Sequence, residues 1–131
     1  MEKLLLTIDV ICREPLSVRG SVTEVVMVPF SGTAHSEHFR GEVMGNAVDT
    51  QKYSLSSGKC RLSARYMLQG TDRNGQSCRI FIENEQQGDN CWKPTIVTDS
   101  EYLRSWEKLP LTATVDITES GVTVRIYAQD V

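Results

Sequence analysis

The sequence predicts an all-β fold, in which one domain covers residues 1–131 as a single antiparallel β-barrel of about eight strands. Three observations support this prediction. Segments that alternate apolar and polar residues dominate the chain, as expected for half-buried strands. Gly, Asn, Asp and Ser occupy the connections at fairly even spacing. Strands do not alternate with long helices, which disfavours a parallel α/β sheet.

Eight segments carry the alternating pattern and the β-branched or aromatic residues typical of strands. They are residues 4–13, 22–30, 39–44, 47–55, 60–69, 77–85, 111–118 and 122–128. The apolar start of the chain is interrupted by Asp9 and Arg13 and lacks a cleavage site, so we interpret it as a first strand.

One hairpin turn is strongly indicated by Asn74-Gly75, because both central residues of a type I′ turn need a positive φ. A two-residue loop would place Arg65 opposite Asn84, and Tyr66 opposite Glu83. A longer loop would shift this register.

One short helix is predicted near residues 99–106. Residues 98–101, Thr-Asp-Ser-Glu, have the pattern of a capping box, in which Thr98 and Glu101 satisfy free backbone amides. Tyr102, Leu103 and Trp106 then form an apolar stripe, and Pro110 marks where the helix must already have ended.

Composition excludes several classes of function. The net charge is −3 and the 14 Lys and Arg residues are scattered, so a nucleic-acid partner is not expected. No apolar run is long enough for a membrane span, and no phosphate-binding or dinucleotide motif indicates a cofactor. The four cysteines form no CxxC pair, so we expect reduced thiols and a cytoplasmic protein rather than a zinc site.

Two regions of the chain carry a family resemblance. The first combines residues 30–34, 39–43 and 45–49, and the second combines residues 62–68, 72–75 and 80–85, with Ala64-Arg65-Tyr66 and Ile80-x-Ile82-x-Asn84 as the most specific parts. Together they resemble the DUF3237 (UPF0311) family of uncharacterised proteins. The resemblance implies a calycin-like barrel with a central cavity and no defined biochemical role. Gln86 and Thr50 depart from the family pattern.

A polar patch is predicted inside the barrel, because small barrels often hold one ligand. Alternation places Asp49, Gln51 and Tyr53 on the same face of one predicted strand. Arg65 belongs to the next predicted strand along the chain. In the predicted register Asn84 lies across from Arg65. The predicted ligand-binding residues are therefore Asp49, Gln51, Arg65 and Asn84.

The opposite assignment of strand faces would bring Tyr66 and Glu83 into the lumen instead, so these two residues are the second choice. The sequence His35-Ser36-Glu37-His38 also contains metal-ligand side chains. Neither strand nor helix geometry supplies a further ligand, so we interpret this segment as a polar connection and predict no metal.

The leading functional prediction is a protein that binds a small polar or acidic organic molecule in the barrel lumen. One alternative is a cofactor-independent isomerase, cyclase or lyase, in which Asp49 accepts a proton and Arg65 holds an anionic group. Another is a structural or interaction role with a packed interior. The predicted partner is the small molecule. The sequence does not decide whether the protein forms a homodimer.

Overall fold

The computed structural model describes residues 2–86 and 92–129 and contains ten strands. The strands are β1 Lys3–Cys12, β2 Leu16–Arg19, β3 Thr23–His35, β4 Phe39–Val43, β5 Val48–Ser54, β6 Cys60–Asp72, β7 Ser77–Gln86, β8 Trp92–Thr98, β9 Leu111–Ile117 and β10 Gly121–Ala128. All eight predicted strands are present, and their ends agree to within one residue except at the far ends of β3 and β6.

The strands form a closed antiparallel barrel of eight positions. Pairing runs in the order β1-β10-β9-β8-β7-β6, and β3 closes the ring by pairing with β1. β4 and β5 share one position, because each pairs with a different part of β3 and of β6. β2 lies outside the ring and pairs with β3. The all-β barrel prediction is therefore confirmed.

The long strand β3 continues through Pro29 and Gly32, where the sequence predicted an end. β3 changes partners at this point: along one edge, pairing with β2 stops at Met27 and pairing with β1 starts at Phe30. Pro29 falls in the gap between the two partners, so its missing N–H removes no ladder hydrogen bond on that edge. The strand can therefore run on to His35.

The core fills one part of the barrel interior. Side chains on alternate positions point inward from every strand of the ring. The fully buried large members are Leu6, Ile8, Phe39, Leu68, Ile80, Ile82, Leu103 and Ile126. These residues make one apolar cluster at the end of the barrel that the connection between β8 and β9 covers.

The hairpin between β6 and β7 has a three-residue loop, so the predicted two-residue turn is wrong. The amide of Asp72 donates to the carbonyl of Gln76 at 3.0 Å, and Gly75 adopts φ 77°. The Asp72 carboxylate also accepts hydrogen bonds from the amides of Asn74 and Gln76 at 2.9 and 3.1 Å. The register consequently moves by one residue, and Ala64 rather than Arg65 lies opposite Asn84.

The predicted helix over 99–106 is replaced by a single 3₁₀ turn at Arg104–Glu107, preceded by a tight turn. Thr98 belongs to β8 and does not cap a helix. Ser100 stabilises the tight turn before the 3₁₀ turn, because its Oγ accepts the Leu103 amide at 3.2 Å and donates to the Asp72 carboxylate at 2.6 Å. No helix in the described ranges is long and apolar enough to cross a membrane.

The strands β2 and β8 were not predicted. β8 contains Pro94, which argues against a central strand. The structure tolerates it because β8 meets β9 at a single residue pair, Trp92 with Ala113, so most of that edge carries no ladder. The Glu107 carboxylate accepts a hydrogen bond from the Thr98 amide at 3.0 Å. The last backbone N–H of β8 therefore has a partner on this edge.

Close packing of the backbone at Gly70 gives a test of the barrel. Gly70 lies opposite Gly41 between β6 and β4, and a Cβ there would overlap the carbonyl oxygen of Arg40. Gly70→Ala is expected to destabilise the protein by about 1–3 kcal/mol or more, because the backbone must shift. Urea unfolding measures this loss.

The matched control is Gly45→Ala, because a Cβ added at Gly45 would meet no atom within 4 Å and the residue lies on the surface. We expect its stability to stay within about 0.5 kcal/mol of the wild type. Equal stability of the two variants would contradict this account of the β4–β6 pair.

Candidate functional site

The barrel encloses a cavity of about 290 Å³ at the end away from the buried core. Its wall is mainly apolar and carries a few polar side chains. The lining residues are Val10, Cys12, Val28, Phe30, Asp49, Gln51, Leu62, Ala64, Tyr66, Asn84, Trp92, Val115, Ile117, Val122 and Val124. An apolar pocket with few polar groups is typical of small-molecule sites.

Three residues form a row across the inner wall. Asp49 of β5 lies opposite Ala64 of β6, and Ala64 lies opposite Asn84 of β7. Side chains at directly opposed positions point to the same face, so all three face the lumen. The small Ala64 leaves open space between the Asp49 and Asn84 side chains.

Aromatic rings lie next to this row. Phe30 and Tyr66 pack edge to face, with ring centroids 5.3 Å apart and planes at 72°. Tyr66 is two positions further along β6 than Ala64, so its ring lies one step deeper in the barrel. Trp92 lines the cavity from β8, opposite Gln86. The polar row therefore lies between aromatic surfaces.

Asp49 is held by a short hydrogen-bond chain. The Tyr53 hydroxyl donates to Gln51 Oε1 at 2.7 Å, and Gln51 Nε2 donates to Asp49 Oδ2 at 3.0 Å. Burial raises the pKa of the Asp49 carboxyl above its ordinary value, and the hydrogen bond from Gln51 opposes part of that rise. Asp49 Oδ1 stays available to accept a hydrogen bond from a ligand.

Two further polar atoms in the wall lack partners. The Tyr66 hydroxyl and Asn84 Oδ1 are buried and make no hydrogen bond to any described residue, and the two residues are only 4% and 3% exposed. Burial also raises the pKa of Tyr66. A buried polar atom without a partner costs about 1–3 kcal/mol. A ligand that satisfies these atoms would recover part of that cost.

Arg65 lies on the outer wall, so its predicted place in the lumen is wrong. Its side chain is 66% exposed, and its Nε donates to Glu83 Oε2 at 2.8 Å. The physical reason is the shifted hairpin register, which pairs Arg65 with Glu83 on the outer face. Of the second-choice pair, Tyr66 does enter the lumen and Glu83 does not.

The other predicted site residues do meet in one place. Asp49, Gln51 and Asn84 line the same cavity, and Tyr53 contacts them through Gln51. Ala64, Phe30 and Trp92 also line the cavity and were not among the predicted site residues. Alternation from Tyr66 would have identified Ala64, but only with the correct face of β6.

The two histidines lie apart in different hydrogen bonds. His35 Nε2 lies 3.1 Å from Asp9 Oδ2 on the surface, while buried His38 Nδ1 lies 3.0 Å from the Tyr102 hydroxyl. Desolvation lowers the pKa of His38, and the nearby Glu37 opposes this. Across residues 2–86 and 92–129, no group of three or more His, Cys, Asp or Glu side chains could hold a metal.

Comparison with known proteins shows the fold. No protein-family model matches the sequence, and no curated protein does either, so membership of DUF3237 stays a prediction.

The solved structures that resemble the chain include a protein of unknown function from Clostridium acetobutylicum, with TM-score 0.81 and 21% identity over 98% of this chain and 95% of that one. A β-barrel-like protein from Acinetobacter baumannii has TM-score 0.76 and 13% identity over 98% and 94% of the two chains. An enzyme from Penicillium herquei has TM-score 0.77 and 14% identity over 98% and 92%. At these identities the likeness extends to the barrel fold alone.

Proposed function

We propose that the protein binds a small organic molecule in the barrel lumen. The cavity of about 290 Å³ between the strands is the observation that carries this proposal. Its volume lies at the lower end of the roughly 300–1,000 Å³ typical of ligand pockets. The apolar wall would contact the body of the ligand, and the polar row would orient it.

The polar groups favour a ligand that donates hydrogen bonds. Asp49 lines the cavity and its Oδ1 is an acceptor without a partner among the described residues, whereas Gln51 already donates to its Oδ2. The acidic ligand predicted from the sequence depended on Arg65, which lies outside the barrel. We therefore propose a polar ligand and no longer an acidic one.

A second candidate is a cofactor-independent isomerase, cyclase or lyase in which Asp49 accepts a proton. The rise in the Asp49 pKa within an apolar cavity favours this role, because a general base works best with a pKa near the working pH. Arg65 no longer contributes. Turnover that Asp49→Asn abolishes while binding persists would support the enzyme over the binding protein.

The packed-interior alternative has less support. It expects inward side chains to fill the barrel, whereas the described residues leave a cavity around Ala64. A structural role would also leave the buried Tyr66 hydroxyl and Asn84 Oδ1 unexplained.

Filling the lumen tests the proposed function. Ala64→Phe places a ring in the open space between Asp49 and Asn84. We expect the wild type to bind N-phenyl-1-naphthylamine, a neutral fluorescent probe, and the variant to lose at least tenfold in affinity. Fluorescence titration measures both, and circular dichroism shows whether the variant keeps its fold.

The matched control is Ser63→Phe, because Ser63 is the neighbouring residue of β6 and faces outward beside Thr50 and Arg65. It adds the same ring without entering the lumen, so probe binding should match the wild type. Unchanged binding in Ala64→Phe, or no binding by the wild type, would contradict the proposal.

The buried carboxyl of Asp49 also predicts a pH dependence of stability. Its pKa is raised in the folded protein, so folding is favoured more when the group is protonated. The stabilising contribution is complete below the ordinary pKa of an Asp, and it is lost as pH rises through the raised value. Asp49→Asn should therefore be more stable than the wild type at pH 7, with the difference shrinking below about pH 4.

Urea unfolding at a series of pH values measures this difference. Glu119→Gln is the control, because Glu119 is an exposed residue of the β9–β10 turn and its substitution should give no such gain. A wild type that is as stable as Asp49→Asn at every pH would show that the carboxyl is not desolvated.

A further inference from the structure

We infer that the ligand of the lumen is a small organic amine, bound as its ammonium ion by Asp49 and against the aromatic rings of the wall. The inference rests on the proposed lumen site and specifies the chemical class of its ligand. Charge, acceptor geometry and aromatic lining each support it.

The first support is the distribution of charge. The chain has 14 Lys and Arg residues, and all of them belong to the described ranges, since residues 1, 87–91, 130 and 131 contain neither type. Thirteen are exposed, and Arg125 is partly exposed and paired with Asp116 at 3.0 Å. No Lys or Arg is among the described residues that line the cavity, whereas Asp49 is.

A carboxylate inside such a cavity favours one sign of ligand. Charges in a pocket with low-dielectric walls interact more strongly than in water. Ionised Asp49 would repel an anionic ligand. A neutral ligand would leave the negative charge of Asp49 uncompensated. An ammonium ion would neutralise it and donate a short, charge-assisted hydrogen bond to Oδ1.

The second support is the acceptor that Asp49 offers, because its Oδ1 has no partner among the described residues. Asp49 and Asn84 flank Ala64 on one row of the wall, two strand spacings or roughly 10 Å apart at the backbone. Both residues line the cavity, and the small Ala64 between them leaves room for a ligand beside Asp49. An ammonium group has three donors, so it can bond to Asp49 Oδ1 and keep two donors for other polar groups of the wall.

The third support is the aromatic lining. Phe30, Tyr66 and Trp92 all contact the cavity beside the polar row. Aromatic faces attract organic cations, by about 0.5–2 kcal/mol depending on desolvation. The same rings offer apolar surface for the rest of the ligand, which suits an amine on a hydrocarbon or aryl body.

The test compares three compounds of matched size: 2-phenylethylamine, 2-phenylethanol and phenylacetate. Isothermal titration with the wild type should show the amine binding at least tenfold tighter than the alcohol, and phenylacetate weakest. In Asp49→Asn the amine should lose its advantage and fall to the affinity of the alcohol. Glu83→Gln is the control, because Glu83 is a carboxylate of the outer wall, and it should keep the preference for the amine.

The pH dependence gives a second readout. Because ionised Asp49 binds the cation, amine affinity should rise with pH through the raised pKa of Asp49 and then level off, and alcohol affinity should stay flat. An alcohol or phenylacetate that binds as tightly as the amine, or a preference that survives in Asp49→Asn, would overturn the inference. If N-phenyl-1-naphthylamine still binds in that case, the lumen site stands and only its ligand class is wrong. If neither the probe nor any of the three compounds binds, both proposals fail.

Discussion

The Asp72 carboxylate holds the hairpin that decides which side chains of β6 and β7 meet inside the barrel. Its Oδ1 accepts the amides of Asn74 and Gln76, and its Oδ2 accepts the Ser100 hydroxyl. The Ser100 bond lowers the pKa of Asp72, burial opposes this, and the backbone amides support it. One carboxylate thereby joins the hairpin to the connection that covers the core. A one-residue change in this loop would pair different faces of the two strands.

The register has an electrostatic consequence. With Arg65 paired to Glu83 on the outer wall, Asp49 has no cation beside it in the lumen among the described residues. Its carboxyl is desolvated and held by Gln51 and, through Gln51, by Tyr53. Burial without a charge partner is unfavourable for folding, and such groups concentrate at functional sites. The cost is consistent with a site that a ligand completes.

Eight of the ten strands were predictable because alternation and turn residues are local signals, whereas the site depended on a detail of one turn. Asn74-Gly75 is compatible with a hairpin loop of two or of three residues. The three-residue loop is stabilised by the Asp72 side chain, which bonds to Ser100, a residue distant in sequence. Where a helix was predicted, Ser100 bonds both to Asp72 and to the Leu103 amide within a tight turn. Asp49 and Gln51 share one face of β5, as alternation along a single strand predicts without any register.

One end of the barrel is tightly packed, and the other end contains the cavity. At the covered end, large side chains such as Leu68 and Ile80 fill the interior completely. At the other end, the inward position between Asp49 and Asn84 is occupied by Ala64, and the volume that a larger side chain would fill is empty. An apolar residue there would have added buried surface and stability at about 25 cal/mol per Å². A small residue beside buried polar groups gives up that stability, and a ligand that fills the space would restore the apolar contacts.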